Sequence, residues 1–391
     1  MDMSQVLGGE QGRMTGLGQL AVPDEDIPDL RFSRLKMLVR LPNFAFRILV
    51  HSPKRGEEFV ARMRERGEGL LRLARSSLSE SELVAQLRSG VQDIYRSVHG
   101  IAFSGLGMFH FTRLDKLCRE WLGDTDGTFA NRLLAGVGDM EIAQAGLDLW
   151  RLASKAHKHP EVEEIILRGE QWPMVQERLA KARGGDEFLS DWGRFMMKHG
   201  HHTRGELEVY NPRWSEMPDY VLDTVRSYLQ RIEGESVLER HEGRAREREE
   251  LALECRRRLR NPFRRWLFDF YLRQAQSGCL LRENIKSVAV LYWAGMRFLL
   301  LELGERLAKK RILEDRDGIF FLEFHEIEGV GKNEARFDLR ATIAARRADY
   351  ERNLTITPPN VVVGRFDPKT FVPEGVDGSL DTLSGIAVYP G

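Results

Sequence analysis

Residues 263–310 read FRRWLFDFYLRQAQSGCLLRENIKSVAVLYWAGMRFLLLELGERLAKK. Pro262 marks a break just ahead of this stretch, and residues 263–310 themselves read as one long helix with a candidate interruption near Ser277-Gly278. Its apolar heart, Val288 to Leu303, is the strongest membrane-span candidate in the chain. It falls short of the roughly 20 residues a bilayer needs, and Arg297 and Glu302 interrupt it. A helix this apolar that does not span a membrane has to be covered by other helices, so it reads as the buried core helix of a mainly α protein.

Helical signals continue outward from it. After Pro23 and Pro28, DLRFSRLKMLVRLPNFAFRIL mixes apolar and basic residues up to Pro42, where a helix is expected to break. Residues 56–75 place Phe59, Met63, Leu70 and Ala74 near one face. Ser79 followed by Glu82, and Ser77 by Glu80, are capping-box patterns ahead of a helix through Leu83, Leu87, Val91 and Ile94. GDMEIAQAGLDLWRLASKA sets Ile142, Leu149 and Leu152 in register, with acids in its first turn. Residues 243–260, GRAREREELALECRRRLR, alternate in sign and read as a solvated helix, with Glu254 four residues before Arg258. The run IFFLEF reads as a short strand or extended turn, and a last helix covers Leu339 to Asn353. Five of the fourteen prolines lie in the final 34 residues, so the tail is expected to be extended.

Composition narrows the function classes. The 391 residues carry 59 basic and 59 acidic side chains, and this balance gives no support to a nucleic-acid polyanion as main partner. Hydrophobic residues make up 42%, too many for wholesale disorder. Cys118, Cys255 and Cys279 stand far apart and read as reduced thiols of a cytoplasmic protein. The N-terminus has no basic region followed by an apolar core, and it reads as a flexible lead-in.

Chemistry-bearing residues gather at 198–214, KHGHHTRGELEVYNPRW. His199, His201 and His202 stand close to Glu206 and Glu208, a donor set zinc or iron accepts, although Gly200 and Gly205 mark a loop where helical ligand spacing is lost. Read structurally, Glu206 pairs with Arg204 or Arg213 and Trp214 plugs the core. Residues 99–114 hold Gly100, Gly105 and Gly107, but no Gly-Lys-Ser/Thr follows and no strand precedes them. Close helix–helix approach, or the wall of an apolar pocket, is the better reading. No Rossmann glycine fingerprint, Walker motif, HExxH or Ser-His-Asp set is visible.

One stretch resembles a known family. GHHTRGELEVYNPRWSEMPDYVLDTVRSYL is similar to the signature GHRxxGExDLxxPRWxExP of the phosphoenolpyruvate synthase and rifampicin phosphotransferase group of PEP-utilising enzymes, through Gly200, His201, Gly205, Glu206, Pro212, Arg213, Trp214, Glu216 and Pro218. His202 replaces the signature's arginine, and Glu208 keeps the acidic position. Downstream, RENIKSVAVLYWAGMRFLLLELGERLAKKRILEDRDGIFFLEFHEI resembles the group's REN-K helix and FFL turn, through Arg282, Glu283, Asn284, Lys286, Gly304, Leu307, Ala308, Phe320, Phe321 and Leu322. Residues 133–153 match more weakly, and LSGIAVYPG looks like the opening strand of the swivelling phosphohistidine domain.

The resemblance implies the central helical domain of a three-part ATP-dependent kinase-like phosphotransferase. The expected organisation is a lead-in over 1–22, a substrate-binding-like helical domain over 23–353 with a sub-boundary near 235–262, and a Pro-rich linker over 354–391. That linker would open a truncated phosphohistidine domain. The ATP-grasp domain and carrier histidine are not seen in this sequence, so the chain is expected to bind rather than catalyse alone, with ATP and magnesium belonging to the complete enzyme. Expected partners are a small, hydrophobic substrate and separate ATP-grasp and phosphohistidine chains, with neither nucleic acid nor membrane. Phe103, Met108, Phe109, Phe111, Met196 and Met197 are the candidate substrate-lining residues. The rival expectations are a non-catalytic binding or regulatory protein derived from the family, and a metal-dependent enzyme using the His199–Glu208 cluster.

Overall fold

A computed structural model describes residues 34–73, 75–96, 100–138, 141–232, 237–331 and 339–356. The lead-in over 1–22, Ala74 and the tail from 357, including the expected strand of LSGIAVYPG, lie outside them. The chain divides into two compact units, Met1–Ser52 and Pro53–Gly391. Of the first, the backbone from residue 34 onward is helical. Among the described residues the structure is all helix and turn, with no strand.

The helices are α1 (Arg34–Arg72), α2 (Glu80–Arg96), α3 (Gly100–Leu122), α4 (Phe129–Leu134), α5 (Glu141–His157), α6 (Pro160–Leu167), α7 (Trp172–Leu179), α8 (Gly185–His199), α9 (Pro218–Leu229), α10 (Val237–Arg258), α11 (Pro262–Lys309), α12 (Phe324–Gly331) and α13 (Leu339–Leu354). The expected break at Pro42 is not found: α1 runs through both Pro42 and Pro53. A proline inside a helix removes one backbone hydrogen bond and bends the helix, which neighbouring turns can absorb. The capping box does form, with Ser79 N donating to Glu82 Oε2 at 2.7 Å and Glu82 N donating to Ser79 Oγ at 3.3 Å.

Helix α11 organises the second unit. Pro262 takes its first position, and the Asn261 side chain accepts from Phe263 N and Arg264 N at 2.9 and 3.2 Å. The helix then runs 48 residues without interruption at Ser277-Gly278, about 70 Å at the usual rise. By length and composition alone it could cross a membrane, yet 72% of its most apolar window is buried inside the protein. It crosses α3 where Gly107 meets Gly278, so closely that a Cβ on either glycine would stand 2.8 or 2.3 Å from the other's Cα. Gly107 therefore serves helix approach, whereas Gly105 meets nothing within 4 Å, and the mid-helix position of both leaves no free amides to cradle a phosphate.

Three cores result. The C-terminal half of α11 (Val288, Leu299, Leu303, Leu307) packs with Phe59 and Met63 of α1, Leu83 and Leu87 of α2, and Ile319, Ile327 and Ile343 from the end of the described chain. Its N-terminal half (Phe268, Leu272, Ala275) packs with Leu114 and Cys118 of α3, Leu133 of α4 and Cys255 of α10. Only Leu251, Ala252, Cys255 and Leu259 are buried along the charged run, whose other side chains face outward. A separate core joins α5 to α9 through Leu152, Ile166, Val175, Phe188, Trp192 and Leu222. IFFLEF is not a strand. Residues Arg316–Phe321 form a 3₁₀ turn, capped by Asp315 accepting from Gly318 N at 2.8 Å, and only Leu322 is extended. Phe320 and Phe321 pack against the first core, so the run is held by packing rather than by strand pairing.

Candidate functional site

The loop between α8 and α9, residues 200–217, ties the separate core to α11. Its two limbs are laced by Trp214 N donating to His202 O at 2.8 Å, Ser215 N to Gly200 O at 3.0 Å, and Thr203 Oγ1 to Pro212 O at 2.6 Å. Gly205 turns the chain at φ +67°, where a side chain would be strained. Arg213 fills the centre, 0% exposed, donating from Nη1 to Glu206 O and from Nη2 to Glu208 O at 3.1 and 3.2 Å. Burial, and Arg297 close by, lower its pKa to about 10, so it stays charged near neutrality.

Two ion pairs fasten the loop to α11. Arg297, 3% exposed, grips Glu216 with two donors at 2.8 and 2.9 Å and gives its remaining donor to Val209 O and Tyr210 O at 3.0 and 2.7 Å. Burial opposes ionisation of Glu216, but the hydrogen bond and charge of Arg297, with the Arg213 N–H and the charge of Arg316, together outweigh it and hold the carboxyl below its usual range. Nearer the surface, Lys286 Nζ lies 2.6 Å from Glu206 Oε2, and the other Glu206 oxygen is 3.6 Å from His202 Nδ1. The expected pairing of Glu206 with Arg204 or Arg213 is thus corrected: the carboxylate faces α11, and Arg213 takes backbone carbonyls instead.

The three histidines part company. His199 Nε2 is 2.9 Å from Asp148 Oδ2 of α5. His201 and His202 lie against each other, ring centroids 4.4 Å apart, with Trp214 5.2 Å from His202. Burial lowers the pKa of His201 to about 3, helped by His202, His199, Arg213 and Arg64, and that of His202 to about 4. Both are therefore neutral near pH 7. Glu208 turns to accept from Tyr210 N at 3.1 Å. With Glu206 and His199 engaged elsewhere, among the described residues no three His, Cys, Asp or Glu side chains gather as a metal site. The metal-dependent alternative finds no ligand set.

On the loop three polar atoms are buried without a hydrogen-bond partner among the described residues, His201 Nε2, Arg213 Nε and Trp214 Nε1, and on α11 Asn284 Oδ1 is likewise unpartnered. Arg282 and Glu283 of the same helix form a looser pair, 3.3 Å apart, with Arg282 largely exposed. Of the residues that carry the family motifs, His201, Glu206, Arg213 and Trp214 lie on the loop, and Arg282, Glu283, Asn284 and Lys286 lie on the turn of α11 that ends at the pair with Glu206. The six candidate lining residues do not share one place. Phe103 packs against the first core and lies 6.2 Å from Phe59, Phe111 against the second and Met196 against the third. Met108, Phe109 and Met197 are exposed. Arg297 and Asp148 were not singled out as site residues. The signal for Arg297 was present, because a lone arginine in an apolar helix must find a partner. Asp148 carried no such signal.

Residues 97–283 match the rifampicin phosphotransferase fourth domain. A rifampicin phosphotransferase of Streptomyces sviceus is 25% identical over 285 residues, 71% of this chain and 32% of that protein. One from Bacillus cereus is 23% identical over 351 residues, 81% and 39%. The prodigiosin synthesizing transferase PigC of Serratia marcescens is 23% identical over 278 residues, 70% and 31%. The chain spans about a third of the length of these curated relatives. Through this helical region, whose motif loop and α11 meet as described, the chain is similar to the rifampicin phosphotransferase-like family of PEP-utilising proteins.

Proposed function

We propose that these helices hold the acceptor substrate of an ATP-dependent phosphotransferase, presented where the 200–217 loop meets α11. The observation that carries this reading is the set of unpartnered polar atoms buried in the loop, His201 Nε2, Arg213 Nε and Trp214 Nε1, together with Asn284 Oδ1 two residues before Lys286 on α11. Buried polar groups are ordinarily paired, and a cluster left open beside solvent-reaching charges suits a ligand that brings hydroxyl or phosphoryl oxygens. Lys286 and Arg282 supply cations to offset an arriving phosphoryl charge, Glu206 and Glu283 supply carboxylates to orient an acceptor hydroxyl, and Ile285, between Arg282 and Lys286 on α11, supplies apolar surface. Relatives are named for rifampicin and prodigiosin, so the acceptor is taken to be large and mostly apolar.

Among the described residues no three His, Cys, Asp or Glu side chains gather for a cation, and no step through ATP or magnesium is assigned to this chain. Nucleotide binding and the carrier histidine are taken to reside in other domains or chains, so this polypeptide alone binds without turnover. Titration of the purified chain with rifampicin, followed by tryptophan fluorescence, should quench saturably. Lys286→Ala should weaken binding about ten-fold at unchanged circular dichroism. No saturable quenching, or Lys286→Ala binding as the parent does, overturns the reading. Label incorporated from γ-labelled ATP overturns the part that denies turnover.

A further inference from the structure

The turn joining α10 to α11 carries a local charge that the balanced composition conceals. Residues 256–265, RRRLRNPFRR, hold six arginines. Arg256 pairs with Asp269 at 2.7 Å and Arg258 with Glu254. Arg257, Arg260 and Arg265 are exposed and have no carboxylate partner among the described residues, while Arg264 lies 5.1 Å over the Trp121 ring. Among these cations stand two aromatic side chains that other parts of the fold leave open, Phe263 at 65% exposure and Trp266 at 56%. They stack on each other at 5.9 Å and 27°, and Trp266 in turn on Phe270 at 6.1 Å and 20°.

We propose that this turn is a contact for an anionic phospholipid surface, with the unpaired arginines meeting headgroups and Phe263 and Trp266 entering the interfacial layer. Four to eight cations beside exposed aromatic rings is the pattern such surfaces attract. The free charges are of one sign, so a second copy presenting the same face would set arginine against arginine. Single-stranded nucleic acid, which would stack on the ring faces, is told apart from a lipid surface by the test. Rings that protrude by more than half suit a soft medium that closes around them.

This inference is independent of acceptor binding, and its test uses the full chain. In co-sedimentation at low salt, vesicles of phosphatidylcholine with about 30% phosphatidylglycerol should retain the protein, and pure phosphatidylcholine should not. The double variant Arg264→Glu/Arg265→Glu should lower partitioning at least about ten-fold, and Phe263→Ser/Trp266→Ser several-fold, both with unchanged circular dichroism. Retention should fall as salt rises. No retention on anionic vesicles, equal retention of the variants, or capture by polyglutamate or an oligonucleotide without vesicle binding overturns the proposal.

Discussion

Acid should loosen this protein before its carboxylates begin to titrate. His201 and His202 are held neutral at the loop junction, with pKa values near 3 and 4, whereas an unfolded chain protonates histidine near 6.5. Because the folded values are depressed, their contribution is complete above about pH 6.5 and is lost as pH falls toward the folded values. At pH 5 the unfolded state has gained nearly a full proton at His201 that the folded state has not. The loss is about 2 kcal/mol, at about 1.4 kcal/mol per pH unit. His202 adds in the same direction, for about 4 kcal/mol from the pair against a typical total of about 5–15 kcal/mol, and His110 and His199, also lowered by burial, add to it. Asp148 and Glu216, held below the usual carboxylate range, lose their contribution only beneath about pH 4, so the window from 6.5 to 5 isolates the histidines. Urea unfolding at pH 7.5, 6 and 5 should show a falling midpoint, with a slope one proton smaller in His201→Gln. A midpoint unmoved between pH 7.5 and 5, or an undiminished slope in the His201→Gln/His202→Gln double variant, would refute the burial argument.

Three further perturbations test the same contacts. Arg297→Leu strands Glu216 and the Val209 and Tyr210 carbonyls and should cost about 3–5 kcal/mol, read by chemical denaturation. The double change Arg297→Leu/Glu216→Leu should recover part of that loss. Gly278→Val puts a side chain into the Gly107 backbone at the α3–α11 crossing and should cost about 1–3 kcal/mol, seen as a lowered Tm; an unchanged Tm would show the crossing to be looser than described. Ser79→Ala removes the α2 capping hydroxyl at a cost of about 1 kcal/mol, measurable by the same melt.

Legibility varied with the range of the interaction. The capping box, the core helix and the helical charged run depend on residues a few positions apart, and they read correctly, although the run's buried stripe was not part of that reading. The errors came where distant packing overrode a local preference. Pro42 sits within a continuous helix, and the β-prone IFFLEF coils into a 3₁₀ turn because Phe320 and Phe321 have a core to fill and no strand to pair with. Glu206 was assigned arginines of its own loop, but its partner, Lys286, comes from another element altogether.

From its sequence alone this chain was determined to be helical, to centre on residues 263–310 and to carry two family motifs, since periodicity, caps and motif spacing are local properties of a chain. Only the tertiary structure decided that those motifs form one place. Glu206 to Lys286 and Glu216 to Arg297 close across far-separated segments, and a partner brought from a distance is chosen by how α11 and the loop pack.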